Sequence, residues 1–233
     1  ATPFITREAW MKNAGAINQD VFQQFPVYGG LDLSARQDLT SLVLVCQDDE
    51  DIIHTRTYAW TPAELLKAHE VSDKAPYIKW SNEGLIETVP GSSIAYDWMA
   101  NRVGEIYAET PMLQSINFDR WRIEEFQHEC DKIGLYLPLN EFGQGFVSMS
   151  PAIEDLTHAL SGQELRHGGN PVLTWCVSNA VAVSDPAGNL KLTKDKSFGR
   201  IDPVIALVMA IRALRVDREH QGVSGSEEAI MFV

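Results

Sequence analysis

The sequence predicts an α/β protein with a central mixed sheet of five or more strands, flanked by helices and extended by a β-hairpin. Residues 27–33, 39–46 and 52–60 are rich in branched and aromatic side chains and are separated by polar turns. This pattern is typical of an antiparallel meander of three strands. Downstream, strand-like and helix-like segments alternate, and residues 199–215 are strongly apolar with helical spacing. We therefore expect the element order β-β-β-α-β-α-β-α.

Turn and capping signals locate the individual segments. Thr61 is predicted to be the N-cap of a short helix, with Pro62 at its first position and Glu64 completing a capping box. The remaining predicted segments are, in chain order, helix 93–109, strand 112–119, helix 122–134 stopped by Gly134, strand 136–142, helix 151–165 starting at Pro151, and a hairpin over 175–194 that turns at residues 185–188.

Composition limits the classes of protein to consider. A chain of 233 residues with 45% hydrophobic and 22% charged residues is ordinary for a soluble domain with a full core. There is no apolar run of roughly 20 residues and no signal-peptide pattern at the start, so we expect a cytosolic protein without membrane contact. The isolated cysteines favour neither a disulfide framework nor a zinc knuckle: Cys46, Cys130 and Cys176.

The net charge of -13 argues against a protein that coats nucleic acid with its whole surface. A local basic face remains compatible with that charge. Lys191, Lys194 and Lys196 make the exit of the predicted hairpin basic in an otherwise acidic chain, and Arg200 follows closely. We therefore interpret the hairpin as an element that faces DNA and contacts its backbone without reading sequence.

Three aspartates stand where an acid is unexpected. Asp32 interrupts a strand that should be buried, Asp119 ends the fourth predicted strand, and Asp202 lies in the first turn of the apolar last helix. An unpaired buried carboxylate costs several kcal/mol in rough terms, so such a group normally has a cation beside it. Each acid alone has an ordinary alternative, such as a turn residue or a helix N-terminal acid.

Together, the acids and the element order match the ribonuclease H-like arrangement. In that sheet the first and fourth strands are neighbours, so Asp32 and Asp119 would meet, and the last helix would bring Asp202 to the same place. Converging carboxylates predict a site for Mg²⁺ or Mn²⁺. Two such ions roughly 3.5 to 4 Å apart suit phosphodiester hydrolysis.

The chain also resembles a known family. GLDLSARQDLTSLVLV, NFDRWR, GQGFVSMSPAIEDL, RHGGNPVLTWCVSNAVAVSDPAGN and KDKSFGRIDPVIALVMA are together similar to the C-terminal nuclease domain of the large terminase subunit of tailed bacteriophages, over about residues 27 to 215. The resemblance implies a metal-dependent endonuclease that cuts concatemeric double-stranded phage DNA in the cytoplasm of the infected bacterium. It also implies an ATPase motor, a small terminase subunit and a portal protein as partners.

The resemblance assigns roles by motif. Asp32 in GLDLS, Asp119 in NFDRW and Asp202 in GRIDP correspond to metal ligands. Asp38 is a candidate supporting acid near a second metal, although a turn or capping role is at least as compatible with its position. Lys194, Lys196 and Arg200 are candidates for contact with DNA phosphates, against the alternative of a solvated charged patch. His167 lies in a Gly-flanked loop and is better interpreted as structural than as a catalytic base.

One expected feature is missing from this sequence. A G-x-x-x-x-G-K-[ST] loop for nucleotide phosphates does not occur, so ATP hydrolysis is not assigned to this chain. We expect residues 1–26 to be an arm or linker from an absent ATPase domain of the same subunit, residues 27–216 to be the nuclease domain, and residues 217–233 to be a C-terminal tail. An ATPase on another polypeptide is the alternative.

Two other functions remain open at this point. A different ribonuclease H-like nuclease, of the resolvase or integrase type, would prefer branched DNA or yield strand-transfer products. A non-cleaving DNA clamp or docking domain of a packaging motor would bind DNA without metal-dependent cutting. The family-like strings favour the terminase nuclease over both.

Overall fold

The structure is a computed structural model that describes residues 3–33, 36–120, 122–194 and 199–230. Within those residues, seven strands form one mixed sheet and two more form a separate hairpin. The strands of the sheet are β1 Val27–Asp32, β2 Thr40–Gln47, β3 Ile53–Pro62, β4 Glu87–Val89, β5 Leu113–Asp119, β6 Leu139–Phe142 and β7 Leu165–Arg166, and those of the hairpin are β8 Ala180–Ser184 and β9 Leu190–Lys194.

Helices cover both faces of the sheet. None of those in the described part of the chain is both long and apolar enough to cross a membrane. In chain order they are α1 Arg7–Met11, α2 Leu66–Asp73, α3 Tyr77–Asn82, α4 Tyr96–Glu109, α5 Ile123–Lys132, α6 Phe146–Ser161, α7 Pro171–Asn179 and α8 Asp202–Ile230.

The strand order confirms the predicted ribonuclease H-like topology. The strands lie in the order β4-β3-β2-β1-β5-β6, with β7 added beside β3. β1, β2 and β3 form the expected antiparallel meander. β5 pairs in parallel with β1 on its other side, and β6 pairs in parallel with β5. The first strand and the strand that ends at Asp119 are therefore neighbours.

The two faces of the sheet bury two separate apolar clusters. Along β2, Val43 and Val45 pack into the cluster that contains α6, α7 and α8, while Leu42 and Leu44 pack into the cluster that contains α4 and α5. Successive side chains of a strand point to opposite faces, so a fully apolar strand predicts burial on both sides. A third cluster lies where α3 meets α7.

Helix α8 crosses β1 at very short distance, and Gly30 permits this approach. A Cβ atom built on Gly30 would lie 1.9 Å from the carbonyl oxygen of Ala206 and 2.9 Å from the amide nitrogen of Ala210. Any side chain at this position would therefore force the helix away from the strand. The same helix accepts a 3.0 Å hydrogen bond from the Asn117 side chain of β5 at the Met209 carbonyl.

Two predicted helix starts were wrong. Thr61 and Pro62 belong to β3, and the Thr61 hydroxyl hydrogen-bonds Nδ1 of His69 at 2.9 Å instead of capping a helix. Pairing of β3 with β4 thus outweighs the local capping preference. Helix α6 begins at Phe146, so Pro151 lies inside it. Proline has no N–H to bond the carbonyl of Val147, four residues earlier. Val147 is 78% exposed, so water can hydrogen-bond that oxygen instead.

The predicted hairpin is present but shorter than expected. Its turn is held by Asp185, whose carboxylate accepts from the amides of Ala187 and Asn189 at 2.9 and 2.8 Å. The residues before Ala180 instead form helix α7, which Asn170 caps through a 3.0 Å hydrogen bond from the Leu173 amide. An Asn-Pro pair at the start of this helix is a recognisable N-terminal signal that the hairpin interpretation overlooked.

The expected arm packs against the rest of the domain. Trp10, Val21 and Phe22 are buried. At the other end, α8 continues through the predicted boundary at residue 216 to Ile230. A connection from residues 1–26 to a further domain therefore remains a prediction, and so does a separate C-terminal tail.

Candidate active site at the carboxyl ends of β1 and β5

Asp32 and Asp119 occupy equivalent places on neighbouring parallel strands. Leu31 pairs with Phe118, and each acid is the next and last residue of its strand. Tyr28, Gly30 and Asp32 alternate onto one face of β1, which is the face that α8 crosses at Gly30. On β5, Asn117 contacts α8, so Asp119, two residues later, lies on the same face.

Helix α8 runs antiparallel to β1 and therefore begins beside these two acids. Gly30 contacts Ala206, and the hydroxyl of Tyr28, earlier on the strand, donates to Asp217, later on the helix. Asp202 is one helical turn before Ala206, about 6 Å along the axis. Asp32 is two residues beyond Gly30, about 7 Å along the strand in the same direction. The structure thus places the three predicted acids at one end of the strand-helix contact.

The electrostatic environment of Asp32 includes both of the other carboxyl groups. Burial, followed by the negative charge of Asp202 and then of Asp119, raises the pKa of Asp32 well above its usual value. Burial is also the largest cause that raises the pKa of Asp202 to about 6, and the cations of Arg200 and Lys194 oppose it. The ionised site is therefore costly unless positive charge compensates it.

The oxygen donors of the three acids suit a hard divalent cation, but their side chains are not yet arranged around a common point. Asp32, Asp119 and Asp202 offer carboxylate oxygens, the donors that Mg²⁺ and Mn²⁺ prefer. Among the described residues, no group of three or more His, Cys, Asp or Glu side chains is drawn closely enough together to hold a metal ion as it stands.

The backbone that leads to Asp202 is fixed from one side by Asn179, at the end of α7. The Asn179 side-chain amide donates to the carbonyl of Arg200 at 3.2 Å. Gly199 adopts a positive φ of 137°, and a Cβ there would lie 2.4 Å from the Asn179 side chain. A glycine is therefore required beside this asparagine.

Arg200 is held between two carboxylates. One amino group of its guanidinium contacts the Asp38 carboxylate, and its Nε donates to Oδ2 of Asp73 at 2.9 Å. The Tyr77 hydroxyl donates to the same Asp73 oxygen at 2.8 Å. In this arrangement Arg200 and Asp38 neutralise each other, and the roles predicted for them with DNA and a second metal remain predictions.

The predicted DNA-contacting lysines lie in different surroundings. Lys194 is exposed and lines a cavity of about 220 Å³ together with Asp38, Arg200 and Asp202. Lys191 lies three residues earlier on β9, and its Nζ is 6.0 Å from the centre of the Phe146 ring. Lys196 falls outside the described residues. The structure therefore brings only one of the described hairpin lysines to the acids.

His167 and Trp175 both pack against aromatic rings. His167 is fully buried, stacks on the Trp10 ring at 4.0 Å and hydrogen-bonds the Trp10 carbonyl through Nε2 at 2.9 Å. Its Nδ1 accepts from the Gly169 amide, and burial lowers its pKa, so it is a neutral packing residue. Trp175 packs its ring against the rings of Tyr77 and Trp80.

Sequence reasoning missed Asp73 and Tyr77. They lie at the end of α2 and the start of α3, in or beside a polar stretch that carries no helix or strand period. Asp73 meets Arg200 across 127 positions of the chain. No local signal links two residues at that separation.

Comparison with known proteins identifies relatives of this chain. Residues 2–218 match the family described as "Terminase large subunit, endonuclease domain". The terminase large subunit of Enterobacteria phage HK97 is 42% identical over 221 residues, which are 95% of this chain and 43% of that protein. The chain thus spans less than half the length of this curated relative.

Solved structures show the same fold. The crystal structure of the HK97 bacteriophage large terminase superposes with a TM-score of 0.85 at 43% identity, covering 91% of this chain and 43% of that one. The large terminase nuclease from thermophilic phage G20c, solved with bound magnesium, gives a TM-score of 0.55 at 12% identity and covers 81% of this chain and 82% of that one.

Proposed function

The chain belongs to the family of terminase large-subunit endonuclease domains, and on that premise we propose that it cuts double-stranded DNA with divalent metal ions held by Asp32, Asp119 and Asp202. The observation that carries this proposal is the meeting of the three acids. They come from β1, β5 and α8, and the charges of Asp202 and Asp119 add to the cost of ionising Asp32. A protein gains nothing in stability from such a cluster, whereas a cation-dependent reaction requires it.

The metal requirement follows from donor chemistry and from the relatives. All three acids supply hard oxygen donors, and the related G20c nuclease was solved with magnesium. Two ions bound here would activate a water molecule and stabilise the departing 3′ oxygen of the DNA strand. The three carboxylates would hold the ions, and Asp38, now in contact with Arg200, would join them as a supporting acid.

The basic residues beside the acids orient the substrate. Lys194 lies in the same small cavity as Asp202, so its ammonium group attracts the phosphate next to the scissile bond. Lys191 and Lys196 extend the contact along the hairpin, and Arg200 adds a guanidinium near the same phosphate. Contacts with DNA phosphates do not depend on the base sequence. Specificity for a cutting site then comes from partners.

We further place this domain in a phage DNA-packaging machine in the cytoplasm of the infected bacterium. The chain spans 43% of the HK97 large subunit, and the remainder of such a protein can carry the ATPase. In this proposal the domain cuts concatemeric DNA while the ATPase domain of the same subunit, a small terminase subunit and a portal protein select and move the DNA. Co-purification with the small subunit and the portal tests these partners.

Plasmid cleavage tests the nuclease function directly. The purified chain is incubated with supercoiled DNA and Mn²⁺, Mg²⁺ or chelator, beside Asp32→Asn, Asp119→Asn and Asp202→Asn. Asp49→Asn is the matched control, since Asp49 is an exposed acid in the turn between β2 and β3, at the opposite end of the strands. We expect nicking and linearisation only with metal, loss of cutting in the three site variants and normal cutting by the control.

The same assay separates the alternatives. A wild-type chain that binds DNA yet never cuts it with any metal would favour the DNA clamp and contradict the nuclease. Preference for four-way junctions over linear duplex would favour a resolvase-type enzyme. Full activity in any of the three site variants would remove that acid from the metal-binding set.

A further inference from the structure

The geometry points to Asp73 as a positioning residue that, by holding Arg200, fixes the segment presenting Asp202 to the metal ions. This inference rests on the nuclease function proposed above. It adds to that site a residue from α2, in an otherwise non-catalytic stretch between β3 and β4. Asp73 itself has no direct contact with substrate in this account and acts through Arg200.

Both oxygens of the Asp73 carboxylate accept hydrogen bonds. Its Oδ2 accepts from Arg200 Nε at 2.9 Å and from the Tyr77 hydroxyl at 2.8 Å, and its Oδ1 accepts from the Ser72 hydroxyl at 2.8 Å. The side chain is only 9% exposed and that of Arg200 only 16%. A charged pair this far from water is well ordered and little screened, unlike an ion pair on the open surface.

The residues that support the Asp73-Arg200 pair are tightly packed. Tyr77 is fully buried and packs against Trp80 and Trp175, with ring centres 5.7 and 6.0 Å away. Trp175 belongs to α7, whose last residue, Asn179, binds the carbonyl of Arg200. The side chain and the main chain of Arg200 are therefore both anchored to one packed unit.

Contacts on both its main chain and its side chain restrain Arg200. Its carbonyl is bound by Asn179, Gly199 before it is pressed against the same asparagine, and its guanidinium bridges Asp38 and Asp73. Asp202 follows two residues later as the first residue of α8. Residues that orient metal ligands from behind are typically worth 10- to 100-fold in metal affinity.

The experiment compares Asp73→Asn with a control variant that breaks a different arginine-carboxylate pair. Asparagine keeps the shape of the side chain and an acceptor for Tyr77 but loses the charge that holds Arg200. Glu164→Gln removes the partner of Arg215, a partly buried pair at 3.1 Å that is more exposed than the Asp73-Arg200 pair. Arg215 lies 13 positions after Asp202, about 20 Å along the helix. Each variant loses one arginine-carboxylate pair, but only the Asp73-Arg200 pair lies near the three acids.

Two readouts are measured as Mn²⁺ is titrated: the rate of plasmid cutting, and the rise in melting temperature without DNA. For Asp73→Asn we expect the half-saturating Mn²⁺ concentration to rise about tenfold in both. At saturating Mn²⁺ the cutting rate should return to within about threefold of wild type. Glu164→Gln should keep the wild-type midpoint. Tyr77→Phe, which removes one donor to Asp73, should shift the midpoint in the same direction by less.

The outcomes separate this inference from the proposed function. Wild-type cutting with an unchanged Mn²⁺ midpoint in Asp73→Asn overturns the positioning role and leaves the nuclease intact. Equal shifts in Asp73→Asn and Glu164→Gln also overturn it, since they would show general loosening of α8. A wild-type chain without any response to Mn²⁺ in either readout overturns both proposals. If Asp73→Asn does not fold, the Tyr77→Phe midpoint decides the question.

Discussion

Replacing Asp202 by asparagine should stabilise the metal-free protein at neutral and alkaline pH. The pKa of Asp202 is raised to about 6, chiefly by burial, from an ordinary value of 3.8. Between those pH values the folded chain keeps a proton that the unfolded chain releases. Stability therefore falls as pH rises from about 4 to about 6, and above that the loss is complete.

The magnitude follows from the same values. A rise from 3.8 to about 6 is roughly 2 units, and each unit corresponds to about 1.4 kcal/mol, which gives a cost near 3 kcal/mol for the ionised side chain. Asparagine removes this charge while keeping a similar shape. Because helix N-termini favour a negative charge by up to about 1 kcal/mol, we expect Asp202→Asn to gain about 1 to 3 kcal/mol at pH 8.

Thermal unfolding in chelator measures the effect. For a chain of this size the gain corresponds to a melting temperature higher by about 3 to 10 °C at pH 8, and to no gain at pH 4. Mn²⁺ should then raise the melting temperature of the wild type more than that of Asp202→Asn. Asp49→Asn serves as the control and should change neither. Equal or lower stability of Asp202→Asn at pH 8 would refute the reasoning.

Three other substitutions give further tests. Gly30→Ala should destabilise the fold by about 3 kcal/mol or more in denaturant unfolding, because its Cβ would overlap the backbone of α8, whereas Gly145→Ala, with open space around it, should cost little; comparable stability of the two would contradict the close crossing. His167→Asn should lower stability by about 2 to 4 kcal/mol through the lost ring stack, yet keep the wild-type dependence of cutting on pH at a permissive temperature, and loss of the acidic limb of that profile would restore a role as catalytic base. Lys194→Gln should weaken DNA binding and reduce its salt dependence by about one ion, while Lys191→Gln should do so less, as fluorescence anisotropy over a salt series would show; the reverse order would contradict the placement of the hairpin.

The sheet and its acids were predictable because their signals are local and strong. Runs rich in branched and aromatic side chains, separated by polar turns, located β1, β2 and β3 almost to the residue. Asp32 and Asp202 were conspicuous because charge is rare in such apolar segments. Once the strand order was recognised, Asp119 followed from the neighbouring place of its strand. The physical cause is that burial on both faces leaves a strand few choices of residue.

The supporting contacts were not predictable in the same way. Thr61 carries a good capping pattern, but cross-strand pairing with β4 keeps it extended. Pro151 is an ordinary first residue of a helix, yet packing of α6 extends the helix by a turn before it. Arg200 looked like a free cation beside DNA, and only the folded chain brings Asp73 to it. Each outcome was decided by a partner distant in sequence, which propensity does not record.

The close crossing of α8 over β1 also fixes the number of residues between Gly30 and Asp32. Gly30 must stay opposite Ala206 for the two elements to touch, and Asp32 must stay an even number of residues away to face the helix. Deleting or inserting one residue between them would turn the acid toward the opposite face of the sheet. The tip of the hairpin around Asp185 has no such constraint, so relatives of this domain should vary in length there and remain invariant in length between positions 30 and 32.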